Sequence, residues 1–274
     1  MPEPIRNKDG LTEEEFLAQY NPSDYERPSV TVDMMVLCMS KHLENMKILL
    51  IQRGDHPFIN QWALAGGFVD IKESTYQAAC RELEEETGLK NIYLEQLYTM
   101  SQPDRDPRMR VITVSYIAMI NEQDVKAGDD AKNALWFDIV KFTNNRLILH
   151  NSDEDITIDY KLNRKYFKNG VITVEGLVPE HFSGEKLAAD HVEIILEGLT
   201  RLRNKVMYSD VAFNLLPRVF SLADLRRVYE VILGKELYKS NFKKHVEDKL
   251  DNLDYKVTPL IDGGKLSQAY KYRG

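Results

Sequence analysis

The stretch Thr75–Thr87 sets Glu82 three and four residues before Glu85 and Glu86, so on a helix three carboxylates project from one side of a single turn. Like charges that close repel one another, and a chain that carries them needs a cation nearby. Hard carboxylate oxygens suit Mg2+, or Mn2+, better than zinc. Arg81 stands four residues before Glu85 and can pair with it, and Gly88 stops the helix. A solvated acidic face is the plain alternative for such a cluster.

Around this helix the texture is that of strands. Runs at Val30–Met39, Lys47–Arg53, Ile92–Met100, Val111–Ile120 and Ala134–Asp138 are separated by turn or polar residues, which argues for an α/β or α+β sandwich over residues 30–145. Residues 1–29 are polar, carry Pro2, Pro4, Pro22 and Pro28, and read as an arm with one short helix near Thr12–Tyr20, opened by a Thr12–Glu15 capping box. Residues 146–184 read as a β-rich extension: short strands at Leu147–Leu149, Ile156–Leu162 and Val171–Val174, with a hairpin turn at Asn169-Gly170. Over residues 185–274 the period becomes helical. Leu187, His191, Ile194, Ile195, Leu199 and Leu202 share a face, as do Leu222, Leu225, Tyr229 and Ile232, with Ser221 and Asp224 opening the second helix and Gly234 closing it. A third helix from Ser240 to Leu250 precedes a hairpin of Tyr255–Leu260 and Leu266–Tyr272 around Asp262-Gly263-Gly264, and helix, helix, hairpin is the order of a winged helix.

Composition narrows the classes. Of 274 residues, 43% are hydrophobic and 29% charged, which fits two globular units and excludes a disordered chain. No apolar run approaches the ~18 residues of a membrane span and the first residues lack a secretory signal's apolar stretch, so no membrane partner and a cytoplasmic location are expected. Cys38 and Cys80 are too few for a disulfide framework or a zinc cluster. The net charge of −7 is uneven: residues 185–274 hold 16 basic and 13 acidic side chains, so an acidic front half precedes a mildly basic back half.

Gly67, Glu73, Arg81, Glu82, Leu83, Glu85, Glu86, Gly88 and Leu89 together fill every specified position of the box that marks the Nudix hydrolases, and the chain resembles that family. The resemblance implies an α/β/α Nudix sandwich and a Mg2+-dependent (or Mn2+-dependent) pyrophosphohydrolase of a nucleoside diphosphate linked to another moiety. It makes Glu82 and Glu86 the principal metal ligands, with Glu85 and the Gly66 carbonyl as further ones. Glu73 would hold the loop through backbone N–H groups, and Arg81 would orient the glutamates. A general base would come from a later loop, where Glu122 and Asp129 are candidates or plain surface acids. The segments Arg27–Asp33, Trp62–Gly67 and Arg105–Arg110 are similar to the ADP-ribose-directed branch. There Arg27, Arg105, Arg108 and Arg110 suit a diphosphate, and Trp62 either stacks on adenine or plugs the core. Ala65 departs from that branch, which commonly has proline.

The last ~90 residues resemble the C-terminal half of the Nudix-related transcriptional regulators, through Leu187–His191, Arg201–Lys205, Leu215–Pro217, Phe220–Leu222, Val228–Glu230, Ile232–Gly234, Asn241–Lys244 and Tyr270–Tyr272. This adds a C-terminal winged-helix domain to an α+β chain and points to double-stranded DNA as a partner, with Lys239, Asn241, Lys243, Lys244 and Lys265 as contact candidates. Each of these is otherwise a solvated surface residue, and a winged helix can also serve protein interaction. His191, on an apolar helix face, is expected to make a buried hydrogen bond rather than bind metal. Two functions follow: a pyrophosphohydrolase acting on ADP-ribose or a related nucleoside-diphosphate sugar with a fused DNA-binding domain, or an ADP-ribose-sensing transcriptional regulator whose Nudix domain is weak or inactive. The intact box favours the first. Two-fold DNA sites and the family suggest a homodimer.

Overall fold

The computed structural model describes residues 4–90, 92–121 and 134–274. Ten strands form one sheet: β1 (Ser29–Met39), β2 (Met46–Gln52), β3 (Trp62–Ala63), β4 (Ala65–Phe68), β5 (Tyr93–Met100), β6 (Val111–Met119), β7 (Ala134–Thr143), β8 (Arg146–Asn151), β9 (Ile156–Asn169) and β10 (Ile172–Gly184). Their order is β10-β9-β8-β7-β2-β1-β6-β5, with β3 beside β2 and β4 beside β1, and the central β1–β6 pair is parallel. The helices are α1 (Glu13–Gln19), α2 (Thr75–Thr87), α3 (His191–Lys205), α4 (Leu222–Leu233) and α5 (Lys239–Val246). A second, three-stranded sheet joins β11 (Phe220–Ser221), β13 (Ser267–Tyr272) and β12 (Leu250–Val257).

Strand β1 shows why the sheet is sandwiched. Its side chains alternate between two cores: Met35, Leu37 and Met39 join one, Val32, Met34, Val36 and Cys38 the other. Helix α2 closes the second core with Ala78, Ala79 and Leu83. Its start is a Ser74–Gln77 capping box and its stop Gly88 in the left-handed conformation at φ 71°. Helix α3 closes the first core with Ile194, Ile195, Leu199 and Leu202. The result is the α/β/α sandwich, with a winged helix (α4, α5 and the β12–β13 hairpin) following it.

The structure divides the chain differently from the sequence in two places. Residues 146–184 are no separate extension, because β8, β9 and β10 continue the main sheet by unbroken antiparallel pairing from β7. Lys141 and Thr143 masked the outer half of β7, which pairing with β8 carries on to Thr143. Helix α3 packs on the sandwich rather than opening the winged helix: Gly198 lies against Met35 and Leu97, Arg201 donates to the Leu97 carbonyl at 2.6 Å, and Lys205 pairs with Glu95. The third helix also ends sooner, at Val246, and a short 3-10 turn leads into β12.

Two arginines join the parts. Arg203 of α3 donates to the Phe142 carbonyl at 2.7 Å and to the Ile232 carbonyl at 3.0 Å, with its guanidinium 4.0 Å from the Phe142 ring centre. Arg227 of α4 donates to the carbonyls of Leu43 and Glu44 at 3.0 Å. The larger core runs without a break from the sheet through α3 to Leu225, Tyr229 and Phe242.

A side chain at Gly198 has no room between α3 and the sheet. Gly198→Val is expected to lower stability by about 1–3 kcal/mol in urea unfolding. An unchanged midpoint would mean that α3 does not seat on β1 and β5.

Candidate functional site

A cleft opens where β1 changes partner along one edge. Thr31–Met34 pair with β4, whereas Leu37–Met39 pair with β2, so the two neighbours part and leave a cavity of about 450 Å³ beside Asp33. Arg53, Phe68, Glu86, Arg105, Arg108 and His191 line it, together with Gly66 and Gly67. The glycines matter sterically: a Cβ on Gly66 would strike the Val32 carbonyl, and one on Gly67 the Glu82 carboxylate.

Arg81 organises the box. Its guanidinium reaches Glu73 at 2.6 Å, Glu82 at 2.8 Å and Glu85 at 3.1 Å, and donates to the Phe68 carbonyl at 3.1 Å. Glu73 also accepts the Asp70 N–H at 2.9 Å, and Arg81 followed by that hydrogen bond holds its carboxyl below the usual range. Glu86 faces the cleft and accepts the Gly66 N–H at 2.8 Å. Burial pushes its pKa up to about 8; the Gly66 hydrogen bond opposes this, while the neighbouring Glu82 and Asp33 carboxylates add to it.

The expected trio of acids is therefore split. Among the described residues no three His, Cys, Asp or Glu side chains gather closely enough to hold an ion. The reason is charge pairing: Arg81 gathers Glu82 and Glu85, and Glu85 is largely exposed beside it. The donor chemistry at Glu86 nonetheless fits a hard divalent cation, since a desolvated carboxyl near two further acids is the environment that such a charge relieves.

The arginines expected to hold a diphosphate fall into two groups. Arg105 and Arg108 line the cleft. Arg105 is nearly buried, forks onto Asp190 at 2.9 and 2.7 Å, and lies 3.6 Å from Asp33. Arg108 pairs with Asp106 at 2.8 Å and sits 5.5 Å from the Phe68 ring centre. Arg110 instead donates to the Ser101 and Gln102 carbonyls, bracing its own loop, and Arg27 donates to the Pro22 carbonyl within the arm. Trp62 is buried against Phe137, ring centres 4.9 Å apart, so it plugs the core and offers no face to a base. Glu122 and Asp129 lie outside the described residues. His191 accepts the Leu64 N–H at 2.9 Å and is held neutral by burial, its pKa lowered.

Asp33, Arg53, Phe68 and Asp190 belong to the cleft without having been singled out. Asp33 carried a readable signal, as the lone acid in an otherwise apolar strand, and it accepts the Thr113 hydroxyl at 2.7 Å. Phe68 ends β4, while Arg53 and Asp190 come from a loop and a helix start, and only the fold brings them together.

In the winged helix, α5 buries Phe242 and Val246, with Phe242 5.1 Å from the Tyr229 ring centre. Lys239, Asn241, Lys243 and Lys244 are exposed on its other sides and Lys265 on the hairpin loop. None of these lysines forms an ion pair among the described residues.

Glu86 also gives stability a pH signature in metal-free buffer. Its carboxyl is protonated more readily folded than unfolded, so its contribution is full below about pH 4.5 and is lost as pH rises through about 8. Glu86→Gln should flatten that decline, and thermal melts of the two proteins from pH 5 to 9 will converge at the acid end and separate at the alkaline end. Parallel curves would place Glu86 in solvent.

Known proteins bear on both halves. The NUDIX domain profile matches residues 30–159, and that of the NrtR DNA-binding winged helix domain residues 212–271. The chain is 32% identical over 241 residues to the ADPR responsive transcriptional repressor NtrR of Acinetobacter baylyi, covering 86% of this chain and 78% of that protein. It is 41% identical over 136 residues to an ADP-ribose pyrophosphatase of Methanocaldococcus jannaschii, covering 50% of this chain and 75% of that one. The crystal structure of Shewanella oneidensis NrtR complexed with a 27mer DNA superposes with a TM-score of 0.66 at 27% identity, over 89% of this chain and 93% of that one. A box-bearing sandwich, a winged helix behind it and a relative matched across both halves place this chain in the family of Nudix-fused, NrtR-type transcriptional regulators.

Proposed function

We propose that the chain is a DNA-binding regulator whose Nudix cleft takes ADP-ribose or a closely related nucleoside-diphosphate sugar, working as a homodimer on two-fold DNA sites. The observation that carries this reading is the double attachment of α3. Its first turn walls the cleft, where Asp190 holds Arg105, and about 20 Å away its last turn reaches β7 and α4 through Arg203. A ligand in the cleft thus touches the element on which the winged helix rests. The Acinetobacter relative is named as ADPR responsive, which supports the ligand class.

In the cleft, Arg105 and Arg108 offer forked donors to phosphate oxygens and Phe68 an apolar face. An anionic diphosphate would compete with Asp190 for Arg105. Such a ligand shifts DNA affinity only as far as it binds the free and DNA-bound forms unequally.

A second reading, hydrolysis of the same ligand, is favoured by the intact box with Glu86 facing the cleft. Glu82 and Glu86 would hold Mg2+, which when bound supplies charge neutralisation at phosphate oxygens and a more acidic water. Arg81 would keep Glu73 and Glu85 in place.

ADP-ribose titrated onto a complex of the full chain with duplex DNA should change DNA affinity at least fivefold, the lower end of typical coupling. The same mixtures assayed with and without Mg2+ report turnover. A change in affinity without turnover selects the regulator alone, turnover without a change selects the enzyme alone, and neither sinks both.

Lys243→Ala/Lys244→Ala should lessen the dependence of log affinity on log salt for random-sequence duplex by roughly 0.9 for each phosphate that is no longer neutralised. An unaltered slope removes α5 from the DNA interface.

A further inference from the structure

Beyond Leu162, the β9–β10 hairpin leaves the body of the sheet. Seven residue pairs, from Asn163–Val178 to Asn169–Ile172, form a two-stranded ribbon in which every residue from Asn163 to Glu175 is exposed. A lone two-stranded hairpin is marginal in water. One face of this ribbon is nevertheless apolar: Phe167, Ile172, Val174 and Val178 share it by register, and are 47%, 59%, 41% and 41% exposed. Gly176 leaves room for the Phe167 ring to lie across the ribbon. Four contiguous large apolar side chains on a projecting ribbon mark a surface made to be covered.

The arm preceding β1 is the complementary orphan. Helix α1 buries none of its residues, and Phe16, Leu17, Tyr20 and Tyr25 are all exposed. Phe16 and Tyr20 meet each other at a tilt of 41°, ring centres 5.8 Å apart. Charge distinguishes the partners. Residues 12–26 carry five acidic and no basic side chains, whereas on the apolar face of the ribbon and its root Lys161 and Lys165 outnumber Glu180. Ribbon against ribbon would bring two positive surfaces together; arm against ribbon brings opposite charges together.

The two cannot meet within one chain. Following the register across the sheet, Leu37 of β1 lies level with Ile156 of β9, and the two strands run in the same direction. Ser29, where the arm joins, therefore lies at the opposite end of the sheet from the ribbon, roughly 50 Å below Asn163 at about 3.3 Å per residue, and four strands to the side. Even fully extended, the chain from Ser29 back to Phe16 spans only roughly 45 Å, and α1 shortens it.

We infer that the apolar face of the β9–β10 ribbon is the docking surface for the acidic arm of a second copy of this chain, exchanged reciprocally across a two-fold axis. Phe16 and Tyr20 lie on Phe167 and Val174, and Glu13, one turn before Phe16 on the same side of α1, faces Lys165, which shares the apolar face of the ribbon. A closed two-fold exchange buries both orphans twice and leaves neither free.

Sedimentation of the full chain tests this and needs neither ligand nor DNA. The wild type is expected to be a dimer at micromolar concentration. Glu13→Lys in the arm and Lys165→Glu in the ribbon should each weaken dimerisation about fivefold at low salt, one exposed ion pair counted twice by symmetry. The two reversals combined should restore most of it. Both positions are exposed, so folding is not at stake, and circular dichroism checks it. Phe167→Ser/Val174→Ser should leave a folded monomer. A monomeric wild type overturns the inference, as does a dimer indifferent to both charge reversals. Weakening by the ribbon reversal alone would give the surface to a second ribbon instead, and weakening by both without rescue would place arm and ribbon in separate interfaces; either result overturns the arm as occupant.

Discussion

Strand β1 must bury both of its faces, and much of the architecture follows from that constraint. Odd positions from Met35 to Met39 feed the core under α3, even positions from Val32 to Cys38 the core under α2, so a slip of one residue would exchange the two sets. The same strand accepts β6 along one edge and two successive partners along the other. The cleft is the gap between those two partners. Asp33 interrupts the apolar run at that level, and its burial is tolerable because Thr113 donates to it while Arg105 stands close by.

Positive charge around the cleft is sparse and shared. Six acidic groups (Asp33, Glu73, Glu82, Glu85, Glu86 and Asp190) stand around Arg81 and Arg105, each of which serves several carboxylates at once, while Arg53 and Arg108 also line the cleft. Arg81 satisfies the side of the box away from the cleft. Glu86 accepts a backbone N–H, and its pKa is raised first by burial and then by the Glu82 and Asp33 carboxylates, which that bond and Arg53 only partly offset. A site so arranged favours cationic company over an isolated anion, which is why the box chemistry and a metal-borne diphosphate suit each other, and why Arg105 has two potential anionic claimants.

What the sequence disclosed and what it hid differ by the range of the interactions involved. Helix α2, its cap and its stop were legible because Ser74, Gln77 and Gly88 act within a few residues of one another. The Thr12–Glu15 and Ser221–Asp224 boxes were legible for the same reason. The outer half of β7 and the full length of β9 and β10 were not, since pairing with a neighbouring strand carries each beyond the run that its own residues mark. Helix α3 displayed the right face, yet nothing local says whether that face meets a sheet or another helix. Likewise the arginine-rich segment Arg105–Arg110 was visible, but the division of labour within it depends on Asp190, 85 residues from Arg105.

That last pair bears on how ligand and DNA can be coupled at all. A nearly buried fork between Arg105 and Asp190 is stable only while both charges are satisfied, since losing one partner leaves the other charge desolvated. A diphosphate that takes Arg105 must therefore leave Asp190 another donor. The N–H groups at the start of α3 are the nearest of that kind, because Asp190 occupies the N-cap position yet makes no side-chain cap there. On the proposed reading the exchange would replace an ion pair by a helix cap, a local change rather than an unfolding one. Because the other end of α3 is pinned to both β7 and α4 by Arg203, a change in how its first turn is held has little room to dissipate before it reaches the winged helix.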